Sequence, residues 1–103
     1  DVLHLHDWQT AMAAAYNKTN YGGYLKTVLT IHNLAYQGLF PSDVIEDVGL
    51  GWELFNPKGV EFYGKLNFLK AGLVYADRLT TVSPTYAEEI RTPQFGNGLD
   101  GVL

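Results

Sequence analysis

Lys26-Thr27-Val28-Leu29-Thr30-Ile31, followed at once by His32-Asn33-Leu34-Ala35-Tyr36-Gln37-Gly38, decides how this chain folds. The β-branched run reads as a buried strand. A histidine, an asparagine, a tyrosine and a glutamine therefore emerge together where that strand ends. In an open parallel sheet the carboxyl ends of the strands are where ligands bind. His32, Asn33, Tyr36 and Gln37 at such an edge suit a polar, hydroxyl-rich ligand better than an apolar one.

Working outward, Val2–Leu5 reads as a short strand ending in His6-Asp7. Trp8–Asn17 reads as a helix rich in alanine, and Asn20-Tyr21-Gly22-Gly23 closes it with turn chemistry. Strand, ten-residue helix and strand make a βαβ unit, which sets the two strands parallel. Residues 32–59 form a long, acidic connection, in which Ser42 could cap a short helix over Asp43–Asp47. A connection of that length is usually functional. Phe62, Leu66, Leu69 and Leu73 share one helical face, so the spacing predicts a helix over Val60–Tyr75. Arg78–Val82 reads as a third strand, and Ser83-Pro84 opens a last helix, Thr85–Arg91. The alternation argues for an α/β fold, a three-layer Rossmann-like parallel sheet. Three strands are few for such a sheet, and the sequence reads as an internal fragment whose exposed sheet edges would leave it marginally ordered alone.

The 103 residues suffice for one small domain, with 47% hydrophobic and 17% charged residues, a globular balance. A net charge of −4 argues against nucleic acid as a partner. No apolar run approaches the roughly 20 residues of a membrane span. With no cysteine there is neither a disulfide nor a thiolate metal site. His4, His6 and Asp7 lie close in sequence, but zinc sites need three or four well-placed ligands, so no metal is assigned and His4 reads as a buried strand histidine. Gly22-Gly23 follows a helix rather than a strand, the wrong order for a dinucleotide loop, and no cofactor is assigned. Asn17-Lys18-Thr19 is a glycosylation sequon by pattern alone.

The candidate site has bland readings beside the functional ones. Asp7 could simply cap the helix that follows it, and a cap at a strand's carboxyl end would still line the crevice. Trp8 could be core or a platform for a sugar ring. Asn33 could order its own loop, and Gln37-Gly38 could be only a turn.

Longer motifs carry a resemblance. His4-Leu5-His6-Asp7-Trp8 and Thr30-Ile31-His32-Asn33-Leu34-Ala35-Tyr36-Gln37-Gly38 resemble the starch and glycogen synthases of glycosyltransferase family 5. So do Phe68-Leu69-Lys70-Ala71-Gly72 through Tyr75-Ala76-Asp77, Thr81-Val82-Ser83-Pro84-Thr85-Tyr86-Ala87, Thr92-Pro93-Gln94-Phe95 and Gly98-Leu99-Asp100-Gly101. The resemblance covers essentially the whole chain. It implies a GT-B architecture, in which residues 1–103 form part of the N-terminal, acceptor-side domain. It also implies transfer of glucose from ADP-glucose to the non-reducing end of an α-1,4-glucan, with retention and without a metal. On that reading Asp7 and His32 position the transferred sugar, and Trp8, Asn33, Tyr36 and Gln37 contact substrate. The family's lysine-bearing donor loop and its catalytic-region glutamate have no counterpart in this sequence, so the rest of the polypeptide is a necessary partner and the piece alone is expected to be inactive. The implied location is cytoplasmic for a bacterial protein and plastidial for one from a plant or alga. A sucrose- or trehalose-type glycosyltransferase and a non-catalytic carbohydrate-binding module are the competing readings.

Overall fold

The computed structural model describes residues 1–103. In chain order the elements are β1 (Val2–His6), α1 (Asp7–Asn20), β2 (Lys26–Ile31), β3 (Leu39–Pro41), α2 (Val44–Asp47), β4 (Glu61–Phe62), β5 (Lys65–Asn67), α3 (Phe68–Tyr75), β6 (Arg78–Thr81) and α4 (Pro84–Glu89). A 3-10 turn at Trp52–Leu54 interrupts the long connection. No helix is long and apolar enough to cross a membrane.

The expected parallel sheet forms, in the order β1-β2-β6. His6, Thr30 and Thr80 stand side by side in register, so the three carboxyl tips share one edge. Alternation sends Leu5, Leu29 and Ile31 inward to the main core, while His4, His6 and Thr30 take the opposite face. Helices α1 and α3 cover the inward face. Their approach is close because α1 offers alanines and α3 offers Gly72. A Cβ on Gly72 would lie 2.7 Å from both the Ala11 Cβ and the Leu29 Cδ2.

The predicted helix over Val60–Tyr75 is corrected: only Phe68–Tyr75 is helical. Residues 61–67 form a β-hairpin, β4 and β5, which β3 joins to make a small antiparallel sheet. Tyr63 and Gly64 turn the hairpin with φ of 50° and 83°, the left-handed pair that two-residue hairpin loops favour. Phe62 and Leu66 hold helical spacing by coincidence; Leu66 is buried in a second cluster with Met12, Ile45, Val60 and Ala71. Helix α3 starts at Phe68 because the Asn67 side chain accepts the Lys70 N–H at 2.9 Å, an N-cap. Ser83 caps α4 in the same way, accepting from Tyr86 N at 3.1 Å. Ser42 makes no cap; Asp43 precedes α2 without a side-chain bond.

The turn after α1 is held by Asn17. Its amide donates to the Leu25 carbonyl at 2.8 Å and accepts from Leu25 N at 3.1 Å. Asn17 is buried, so the sequon pattern there is a structural asparagine, with no free amide for a glycan.

Candidate functional site

Strand β1 runs into α1 with no linker, and the junction falls on Asp7. Its φ is 56°, a left-handed conformation uncommon for a residue with a Cβ and often stored at functional sites. The expected helix cap is not what Asp7 provides, since no side-chain cap bond forms at this end of α1. Thr10 does the local work: its Oγ1 accepts from His6 N at 2.7 Å and donates to the His6 carbonyl at 2.9 Å. That leaves the Asp7 carboxylate free to reach across to the tip of β2.

There it meets His32. Asp7 Oδ1 accepts the His32 backbone N–H at 2.6 Å and, more weakly, that of Asn33 at 3.4 Å. Oδ2 lies 3.1 Å from His32 Nδ1. A carboxylate only accepts, so Nδ1 carries the proton, and Nε2 on the other side of the ring makes no hydrogen bond within the protein. Neutral, Nε2 accepts a hydrogen bond from a hydroxyl; protonated, it donates one. The His32 side chain is 48% exposed and that of Asp7 27%, so the pair is held from behind and open in front.

The other candidates divide. Asn33 is exposed at the same tip, and its Oδ1 orders the loop by accepting from Ala35 N at 3.0 Å. Tyr36 is exposed. Trp8 is half-buried and packs against Phe40 and Phe68, with ring centres 6.1 and 6.2 Å away; it fills the space that Gly38 leaves, since a Cβ there would fall 2.5 Å from the indole. Gln37 is buried. Its amide donates to the carbonyls of Leu34 and Asn97 at 3.2 and 3.0 Å, and its Oε1 accepts from Asn67 at 2.8 Å. The structure therefore brings Asp7, His32 and Asn33 together, leaves Tyr36 in solvent nearby in sequence, and turns Trp8 and Gln37 to packing.

His4 is exposed, not buried, and its Nε2 lies 2.6 Å from Thr30 Oγ1. The three histidines form a row of rings, and no group of three or more His, Cys, Asp or Glu side chains is placed to hold a metal ion. The largest concavity, about 500 Å³, lies toward the amino ends of β1 and β2 between Leu3, Tyr16 and Tyr24. Its walls are nearly all apolar, without the few convergent polar groups that fix a polar ligand.

Across residues 1–103 the chain matches the family model of the starch synthase catalytic domain. The chain belongs to that family. Among its relatives in the family, the glycogen synthase of Thermodesulfovibrio yellowstonii is 57% identical over 108 residues, and that of Aquifex aeolicus 54% identical over 103. Each alignment takes in the whole chain and 22% of the relative. A solved structure, the catalytic domain of starch synthase IV from Arabidopsis thaliana bound to ADP and acarbose, superposes with a TM-score of 0.93 at 33% identity, over all of this chain and 22% of that one. The α/β fold with its parallel sheet, of the GT-B glycosyltransferase kind, is shared with that domain. The chain spans about a fifth of the length of these family members.

Proposed function

We propose that the full protein transfers glucose from ADP-glucose to the non-reducing end of an α-1,4-glucan, and that residues 1–103 form part of its N-terminal, acceptor-side domain. The observation that carries this is the Asp7–His32 pair: a carboxylate on a left-handed backbone position fixes an imidazole at the carboxyl tips of parallel strands, with one ring nitrogen free for a sugar hydroxyl. The family membership and the ADP and acarbose in the starch synthase IV structure support the donor and acceptor classes. His32 is the sugar-contacting group. Asp7 acts chiefly by setting the position of His32, because both its oxygens are already engaged. Asn33 and Tyr36 are weaker contacts, and Trp8 and Gln37 shape the loop behind them. Charge on the departing diphosphate falls to groups outside these residues, so the piece alone is inactive. With glycogen synthases of bacteria among its relatives, the bacterial cytoplasm is the location this reading favours.

The test is glucose incorporation from labelled ADP-glucose into glycogen by the full-length enzyme. His32→Ala and Asp7→Ala should each lower the rate more than tenfold, over about 1.4 kcal/mol in barrier. Wild-type rates in both variants would overturn the site. Label appearing in a disaccharide would replace the glucan with a smaller acceptor, and glucan binding without transfer would leave a carbohydrate-binding module.

A further inference from the structure

We propose that His6 is a positioning residue for His32: its ring is the back wall that stops the His32 imidazole from swinging on its single side-chain hydrogen bond. The inference rests on the reading of His32 given above.

One hydrogen bond from Nδ1 to Asp7 fixes a point on the His32 ring but not its plane. The ring could still rotate about that contact, and Nε2, on the far side, would sweep the widest arc. His6 lies where that rotation must be stopped. Its ring centre is 5.6 Å from that of His32, with the planes 32° apart, within the range of paired aromatic rings. The pairing follows from the sheet. Ile31 points into the core, so His32 points to the opposite face, the one that also carries His6 and His4.

The wall itself is braced. The backbone N–H and C=O of His6 are both tied to Thr10 Oγ1. Behind it the His4 ring packs at 4.3 Å between centres. The His4 Nε2 lies 2.6 Å from Thr30 Oγ1, which in turn lies 2.6 Å from Thr80 Oγ1. The row is thereby anchored across all three parallel strands. His6 itself makes no side-chain hydrogen bond, and its ring contributes a surface. Support of this kind keeps a first contact within the narrow geometry that reaction demands. Loss of orientation lowers the rate of the bound complex more than its affinity, since a small misplacement near the reacting atoms is costly in turnover.

The experiment is steady-state kinetics on the full-length enzyme with ADP-glucose and glycogen, with thermal unfolding of each variant. His6→Ala should lower kcat about tenfold while KM for both substrates stays within about twofold. His6→Phe, a flat ring with no ionisable atom, should restore most of kcat, whereas His6→Gln should not. Unchanged kcat in His6→Ala, a change confined to KM, or failure of Phe to rescue better than Gln would overturn the proposal. If His6→Ala does not fold, the Phe and Gln variants decide alone: Phe near wild type with Gln reduced supports the wall, and equal or reversed rates overturn it. His32→Ala run alongside separates the two levels. If it is inactive while His6→Ala is normal, only the wall fails; if it is normal, the reading of His32 fails with it.

Discussion

Asp7 and His32 meet at the strand tips with one ring nitrogen unbonded; Gln37, five residues further along the same loop, meets Asn67 with no buried polar atom left without a partner. The residue types are similar and the chain segment is the same. Burial separates them. In the interior an unpaired amide atom is expensive, so Gln37 and Asn67 use their hydrogen bonds on each other, on two loop carbonyls and on the cap of α3. Lys70 follows suit nearby, donating to the carbonyls of Pro57 and Glu61 at 2.7 and 2.5 Å. Burial lowers its pKa, and the Glu61 charge opposes that shift. At the tip, water can serve the open valence, so leaving it unpaired costs little. One cluster is therefore spent on folding and the other is available for chemistry.

The sharpest way to break that division is Asn67→Leu in the full-length protein. It removes the α3 cap and strands the Gln37 carbonyl, and should cost about 3 kcal/mol of stability by urea unfolding. The molecules that remain folded should turn over normally; a specific loss of kcat would mean that the buried cluster also serves the site. Lys70→Met should follow at about 2 kcal/mol, from two carbonyls left without a donor, again with kcat kept. Asp7→Asn should show the opposite signature. Asparagine tolerates the left-handed backbone and can still accept from His32 N, but its NH₂ cannot accept from Nδ1–H. Transfer should fall more than tenfold, about 1.4 kcal/mol in barrier, with the unfolding midpoint unmoved. A variant that loses stability and activity together would erase the contrast.

The smallest expected effect lies at the opposite end of the sheet and concerns pH. Asp77 bonds Lys18 Nζ at 2.9 Å and accepts from Thr27 N at 2.8 Å. The Lys18 bond first, then that from Thr27, hold its carboxyl at about 2, below the ordinary 3.8. A depressed carboxylate stabilises the fold fully above its unfolded value and loses that support as pH falls through its folded one. Asp77→Asn should lower the melting temperature slightly near neutrality, and the gap from wild type should close as pH drops from 3.8 to about 2. A gap that persists at the acid end would assign the loss to packing.

The parallel sheet was readable in the sequence because β-branched runs and polar tips mark it: the expected strands at 2–5, 26–31 and 78–82 fall within a residue of those found. The Ser83-Pro84 helix start was readable for the same kind of local reason. The hairpin was not. Phe62, Leu66, Leu69 and Leu73 mimic one helix face, and the one contrary signal, Gly64, follows a tyrosine where an asparagine would have announced the turn. Within the site, Asp7 and His32 could be joined because both end neighbouring strands. Gln37 and Asn67 could not, since no local pattern links residues thirty apart whose meeting depends on a hairpin the spacing conceals. That His6 shares a face with His4 was legible from alternation, but the reading of His4 as buried put that face inward, and its exposure and the neighbour across the sheet needed the register.

Gly72 ties the interior to the strand tips. Helix α1 beds into the notch where residue 72 lacks a side chain, and the same helix begins with the carboxylate that grips His32. A single methyl at that notch would meet Ala11 and Leu29 at 2.7 Å, closer than carbon atoms pack, so the contact between α1, α3 and the sheet would have to give. Under the proposed function, sequence drift deep inside the domain would thus reach a strand tip whose own residues never changed.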